Sequence, residues 1–153
     1  MKPMSLLYTL GYEQASLHDV IAALKAARVK LVIDTRAVAA SRRAGFSKKM
    51  LSATLDDAGI AYIHLQKLGT PAEGRMAARA GNYKKLWQIY NKHIRTKDAK
   101  IALDDLETIL KKTGRVCLLC YERSPDECHR RKIAEIMTKR TGRKIENLYA
   151  VPV

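Results

Sequence analysis

The sequence predicts an α/β fold: a single domain with a mostly parallel central sheet of about five strands and helices on both faces. Short apolar stretches alternate with longer segments whose apolar residues recur at helical spacing. The stretches 31–33 and 116–120 are apolar at every position, which is typical of parallel strands buried on both faces. A chain of 153 residues is long enough for one hydrophobic core, so we expect residues 1–153 to form one domain.

Strands are predicted where apolar stretches are bounded by glycine or by polar residues. Gly11 ends the first stretch, and Gly59 precedes the third. The predicted strands cover residues 5–10, 30–34, 60–65, 115–120 and 144–151.

Helices are predicted where a capping residue precedes an amphipathic segment. Ser16 and Ser47 supply such caps, and Ser124 with Glu127 forms a capping box around Pro125. The first predicted helix starts at residue 16. The other four cover residues 47–57, 83–96, 99–112 and 125–141.

Residues 66–82 are predicted to form a long basic connection because they contain three glycines, a proline and several cationic residues. Lys67, Gly69, Arg75 and Arg79 lie in it, and Tyr83 follows it. Long loops in compact domains are usually functional, so we expect a lid or a nucleic-acid clamp.

The charge of the chain indicates its partners. Lysine and arginine total 29 against 15 acidic residues, a formal net charge of +14. Such an excess attracts polyanions, so we expect a nucleic acid, with DNA favoured over RNA, or a nucleotide. The alternative is a basic chain whose charge serves only solubility.

Two further features concern location. No apolar stretch approaches eighteen residues, so we expect no membrane partner. The amino terminus has no long apolar segment of a signal peptide, and three cysteines cannot all be paired. We therefore expect a cytoplasmic protein without a disulfide framework.

Polar residues follow several predicted strands, and the carboxyl ends of parallel strands meet at the edge where ligands bind. Asp34 directly follows an apolar strand, and a buried carboxylate requires partners or a function. Its alternative role is bonding to local backbone N–H groups. The candidate catalytic residues are Asp34, Glu122, His64 and His129.

The capping box predicts that Cys128, His129 and Arg130 occupy the first turn of the last helix, where a phosphate is favoured. Arg36, with the loop that follows it, adds guanidinium groups suited to phosphate oxygens. The candidate substrate- and phosphate-binding residues are Thr9, Gly11, Tyr12, Arg36, Ser41, Arg42, Lys67, Gly69, Tyr83, Cys120, Cys128 and Arg130. Alternatively, Cys128 packs as a small hydrophobic residue while its neighbours face solvent.

A metal site is not expected, although Cys120, Cys128 and His129 are possible ligands. The Cys117-x-x-Cys120 pair lies in a predicted strand, where the two side chains point to opposite faces, so it does not form a ligand pair. We expect no cofactor.

The order Cys-x-Glu-x-x-Pro-x-x-Cys-His-Arg over residues 120–130 resembles the signature of the domain-of-unknown-function family 488 (DUF488). The segments 8–12, 33–36 and 59–69 also resemble that family's motifs, although Tyr12 stands where histidine is usual. The resemblance implies the family's fold and a site at these residues rather than a particular reaction.

Asp34 and Glu122 at one edge are suited to carboxylate-assisted hydrolysis, in which His64 or His129 transfers a proton. We therefore expect a metal-independent, nucleic-acid-processing hydrolase that resembles a DNA glycosylase of base-excision repair. A flipped base would stack on Tyr12, Tyr83 or Tyr121. The alternatives are a non-catalytic nucleic-acid or nucleotide phosphate-binding module and a thiol-dependent redox or transfer enzyme using Cys120 and Cys128.

Overall fold

The computed structural model describes residues 6–151, which form a five-stranded sheet in the order β3-β2-β4-β1-β5 with every pairing parallel. The strands are β1 (Leu6–Gly11), β2 (Leu31–Asp34), β3 (Ala61–His64), β4 (Val116–Cys120) and β5 (Lys144–Leu148). The parallel sheet confirms the predicted α/β class. Residue 5, assigned above to the first strand, lies outside the described residues.

Six α-helices surround this sheet in the described part of the chain. They are α1 (Leu17–Ala26), α2 (Lys48–Asp57), α3 (Ala72–Arg79), α4 (Tyr83–His93), α5 (Lys97–Lys112) and α6 (Arg130–Thr141). Single 3₁₀ turns occur at Gln66–Leu68 and Pro125–Glu127. No helix in the described range is both long and apolar enough to cross a membrane.

The central strands are buried on both faces because helices cover both sides of the sheet, and successive side chains point to opposite sides. On one face, Val116 and Leu118 of β4 pack in a core with α5 and α6. On the other face, Cys117 and Leu119 pack with α1 and α2. The alternation explains why these strands are apolar at every position.

The strand order changes direction between β1 and β4, because the connections from these two strands lead to opposite edges of the sheet. After β1 it crosses through α1 to β2 on one side, and after β4 it crosses through α6 to β5 on the other side. The carboxyl ends of β1 and β4, where Gly11 pairs with Cys120, therefore flank a topological switch point. Ligands of open α/β sheets bind at such a point.

The segment 66–82 is not the long loop that its composition predicted, since it contains a 3₁₀ turn and α3. Gly74 lies in α3, where a Cβ would overlap the Thr70 methyl group at 2.5 Å. The glycine that argued against a helix therefore leaves room for the Thr70 side chain in the turn before α3.

Some helix starts also differ from prediction. Ser16 caps α1 through the amide of Asp19, as expected. Ser47 makes no cap bond, because its hydroxyl bonds with Ser41 instead. Thr96 caps α5, which starts two residues earlier than predicted.

The end of α5 depends on Arg143, a buried guanidinium that donates hydrogen bonds to the carbonyls of Leu110 and Thr113. We expect Arg143→Met to lower the free energy of unfolding by about 3 kcal/mol, because buried carbonyls lose charged donors. Arg140→Met, which removes surface ion pairs with Asp104 and Glu107, should cost less than about 1 kcal/mol. Urea denaturation measures both, and equal losses would contradict a special role for Arg143.

Candidate active site

A cavity of about 770 Å³ opens at the carboxyl edge of the sheet, beside the ends of β1 and β4. Among its lining residues Cys120 and His129 are buried, whereas Arg42 and Arg79 are exposed. The predicted site residues that line it are Tyr12, Arg36, Ser41, Arg42, Tyr83, Cys120, Glu122 and His129. The sheet topology thus brings together residues that are more than one hundred positions apart.

The cavity is also lined by Arg75 and Arg79 of the predicted clamp, by Tyr121, and by three polar residues that the sequence did not point to: Glu13, Thr70 and Glu127. Glu13 directly follows Tyr12, and Glu127 directly precedes Cys128, so their positions next to selected residues were an available signal. Thr70 is brought to the cavity by the turn before α3, which the sequence analysis took for part of a long loop.

Asp34 does not line this cavity, because its carboxylate is buried and fully bonded. The guanidinium of Arg36 donates to its two oxygens at 2.9 and 2.7 Å, and the Tyr62 hydroxyl donates at 2.5 Å. The Arg36 amide adds a fourth bond at 3.1 Å. Asp34 therefore positions Arg36, in agreement with the backbone-bonding alternative.

The Asp34 contact dominates the ionisation of both of its partners. Burial by itself lowers the pKa of Arg36, but the hydrogen bonds and the charge of Asp34 outweigh it and raise that pKa. Burial and then the hydrogen bond to Asp34 raise the pKa of Tyr62. Arg36 thus stays cationic and Tyr62 stays neutral throughout the physiological pH range.

Arg36 in turn fixes one wall of the cavity. Its Nη1 donates to the Tyr12 hydroxyl at 3.1 Å and to the Phe46 carbonyl at 2.7 Å. The rings of Tyr12 and Phe46 stack with their centroids 4.3 Å apart. The wall is therefore held by an ion pair, hydrogen bonds and a ring stack at once.

Both candidate histidines bond to backbone carbonyls. Nε2 of His64 lies 2.7 Å from the Arg36 carbonyl, and Nε2 of His129 lies 2.8 Å from the Thr35 carbonyl. A carbonyl only accepts, so each Nε2 carries the proton. Nδ1 of His129 then accepts from the Thr70 hydroxyl at 2.8 Å. His129 has no ring nitrogen left to take a proton from a substrate, and His64 does not line the cavity.

Cys120, Cys128 and His129 converge, with one potential ligand atom from each within 4.8 Å of the others. A zinc ion binds along the lone pair of a ring nitrogen. In His129, however, Nε2 carries hydrogen and Nδ1 accepts from Thr70. The Cys120 sulfur lies 3.8 and 3.6 Å from the two nitrogens, which places it beside the ring rather than on either nitrogen's axis. These donors do not fit a tetrahedral ion as they stand.

The segment before α6 differs from the predicted capping box. Ser124 makes no cap bond, a 3₁₀ turn occupies Pro125–Glu127, and Cys128 is extended. The helix begins at Arg130, about five residues later than predicted. Cys128 therefore precedes the first helical turn, and the expected phosphate site at residues 128–130 does not form there.

Arg130 is buried completely and does not line the cavity. Its Nη1 donates to the carbonyl of Glu122, and its Nη2 donates to the carbonyl of Arg123 at 3.0 Å. Its guanidinium thus holds the backbone after β4 rather than a phosphate. This contact positions Glu122, whose side chain lines the cavity.

The other predicted site residues lie outside the cavity lining. The Thr9 hydroxyl bonds to Asn147 at 2.5 Å, and Lys67 is exposed at 3.8 Å from Asp98. Gly69 packs against the backbone of Ala37. Gly11 and Cys128 are buried beside the cavity without lining it.

Gly11 allows β1 to pass directly beside the segment that carries Glu122. A Cβ at this position would overlap the Glu122 carbonyl oxygen and crowd Nη1 of Arg130. We expect Gly11→Ala to lower the free energy of unfolding by about 3 kcal/mol, since the obstacle is backbone. Gly114→Ala, where a Cβ meets nothing within 4 Å, is the matched control for thermal denaturation. A Gly11→Ala protein as stable as that control would contradict the close approach.

Burial raises the pKa of two of the cysteine thiols. It raises the pKa of Cys117 to about 12, and it raises that of Cys128 well above its ordinary value, with the neighbouring Cys120 adding to the effect. Cys128 therefore remains a thiol at neutral pH. This state argues against its use as a nucleophile.

The raised pKa of Cys117 predicts a loss of stability in alkali. Its thiol ionises near pH 9 when unfolded but only near pH 12 when folded, so the stabilisation is complete below pH 9 and falls as pH rises to 12. Between pH 9 and pH 12, ionisation of Cys117 should lower the free energy of unfolding by up to about 1.4 kcal/mol per pH unit. We expect Cys117→Ala to remove this contribution. Urea denaturation from pH 8 to pH 11 measures it, and parallel curves for both proteins would contradict the assignment.

The fold and the cavity define an α/β protein with a polar pocket at the switch point of a parallel sheet. The chain belongs to the family described as "Domain of unknown function DUF488", whose profile matches residues 16–137. The match includes the segment from Cys120 to Arg130, while Thr9, Gly11 and Tyr12 precede it. No curated protein and no solved structure matches the chain.

Proposed function

We propose that this protein is a hydrolase that cleaves an N-glycosidic bond in a nucleic-acid strand, in the manner of a DNA glycosylase of base-excision repair. One observation carries the proposal: the Glu122 side chain lines a cavity whose lining also contains tyrosines and arginines. In this proposal the carboxylate assists cleavage of the glycosidic bond, the aromatic rings stack on the base, and the arginines bind the phosphates.

Glu122 takes the catalytic role that the sequence analysis shared between two carboxylates. Its side chain is half-buried, Oε2 lies 3.7 Å from the Cys120 sulfur, and Arg130 holds its backbone carbonyl. A fixed carboxylate stabilises the positive charge that develops on the sugar, or activates the attacking water. Water then adds its hydroxyl to the sugar carbon, and the base leaves with the remaining proton.

The base has aromatic partners in the same cavity. Tyr121 is 42% exposed, so its ring is open to a ligand, and it meets Tyr12 edge to face at 5.4 Å. Partial burial and the nearby Glu127 raise the pKa of Tyr83, so its hydroxyl remains a hydrogen-bond donor. Stacking on such rings accepts an extruded base.

The phosphates have cationic partners at the cavity border. Arg42, Arg75 and Arg79 line the cavity, and none of them pairs with a carboxylate within the described residues. Their guanidinium groups offer paired donors that match phosphate oxygens. DNA rather than RNA and a cytoplasmic location belong to this proposal as well.

A non-catalytic phosphate-binding module is the second candidate. The bonding of Asp34 favours it, because that carboxylate serves Arg36 and is not free to activate water. The thiol-dependent alternative has less support, because Cys128 is buried and remains protonated at neutral pH.

We expect Glu122→Gln to reduce base release at least about 100-fold, because the amide carries no charge to stabilise the transition state. Binding of the same substrate should change by no more than about twofold, since shape and hydrogen bonding persist. Glu146→Gln, an exposed carboxylate on β5 outside the cavity, is the matched control.

The assay uses labelled single- and double-stranded DNA carrying a panel of modified bases, with released bases and cut strands resolved separately. Tight, salt-sensitive binding without product across the panel would overturn the hydrolase and favour the binding module. Asp34→Asn should act differently from Glu122→Gln, because it leaves Arg36 without its charge partner and lowers the melting temperature.

A further inference from the structure

The helices α3 and α4 form a hairpin beside the cavity. Gly81, with φ +73°, lies in the turn between them, and the Asn82 side chain caps α4 through the amide of Lys85. Arg75 and Arg79 of α3 and Tyr83 of α4 line the cavity. The hairpin is therefore one wall of the candidate active site.

The hairpin and the two residues after it carry a large excess of positive charge. Residues 72–95 contain one acidic residue, Glu73, and six lysines or arginines. The six are Arg75, Arg79, Lys84, Lys85, Lys92 and Arg95. None of them forms an ion pair within the part of the chain that the structure describes.

The adjacent helix α5 does not share this excess. It carries four lysines and four acidic residues, and its Lys111 pairs with Glu107 at 2.8 Å. No residue of α5 lines the cavity. The hairpin, which borders the cavity, therefore carries a net positive charge that α5 lacks.

The lysines of α4 lie outside the cavity. Lys84, Lys85 and Lys92 are exposed and do not line it. At 100° per residue, Lys85 and Lys92 lie about 20° apart around the helix and Lys84 within about 100° of both, so all three share the solvent-facing side. A free nucleotide inside the cavity has no use for charges outside it, whereas a strand has phosphates on both sides of the bound unit.

We infer that the hairpin of α3 and α4 is a docking surface for the sugar–phosphate backbone of a nucleic-acid strand, one unit of which enters the cavity. This inference rests on the proposed function in one respect only, namely that the cavity binds a nucleotide unit of the strand. Unpaired cations repel one another until a polyanion neutralises them, and the counterions that the strand releases favour the complex. The partner is thus a polynucleotide rather than a mononucleotide.

The test measures fluorescence anisotropy of labelled oligonucleotides at several salt concentrations. The variant Lys84→Gln/Lys85→Gln/Lys92→Gln should bind a single strand at least about tenfold more weakly at low salt. The slope of log affinity against log salt should fall by about 0.7 for each phosphate that a lysine no longer neutralises. Binding of a mononucleotide should not change, since none of the three lines the cavity.

The variant Lys97→Gln/Lys100→Gln/Lys112→Gln removes the same charge from exposed positions on α5 and is the matched control. Equal weakening by both triple variants, or no weakening by the α4 variant, would overturn the docking surface. Replacing the three α4 lysines by arginine should restore the affinity, and melting temperatures verify that each variant is folded.

The same titrations with DNA and RNA, each as single strands and as duplexes, identify which kind of nucleic acid the surface binds. The docking surface and the hydrolase can fail independently. If the α4 variant weakens strand binding while no base is released from any substrate, the docking surface stands and the proposed reaction falls. If Glu122→Gln abolishes turnover while the α4 variant binds strands normally, the reaction stands and the docking surface falls.

Discussion

The candidate site depends on a buried guanidinium that has no carboxylate partner in the described structure. Arg130 is fully buried, and its Nη atoms donate to the carbonyls of Glu122 and Arg123. A buried charge requires such acceptors, and the carbonyls following a strand require donors. Gly11 leaves the space for this arrangement, since a side chain there would overlap the Glu122 carbonyl. The position of Glu122 therefore follows from a contact made entirely behind the cavity.

The polar residues at the carboxyl edge have two different roles. Asp34 and His129 bond to the protein itself, so their hydrogen-bonding groups are saturated. Glu122 and Tyr121 present side chains to the cavity instead. Buried ionisable groups at a sheet edge are thus insufficient evidence of catalysis, because the same burial that makes them conspicuous also requires partners for them.

The sequence placed residues together correctly where this needed only strand ends, and it failed where this needed hydrogen-bond partners. A parallel sheet brings its carboxyl ends to one edge, so Tyr12, Arg36, Cys120 and Glu122 were correctly placed around one cavity. The bond from Tyr62 to Asp34 was not readable, because Tyr62 is 28 positions away and bonds across strands. The capping box at Ser124 failed because the chain forms a 3₁₀ turn and an extended Cys128 before α6 begins.

The sequence by itself determined the parallel α/β fold, since apolar strands and amphipathic helices follow from residue order alone. It also determined the excess of positive charge. The tertiary structure decided which charges are free: Arg36 and Arg130 bond internally, whereas Arg79 and Lys84 carry no ion pair in the described residues. The physical reason is that a side chain's type is local, while its partners and its exposure depend on residues distant along the chain.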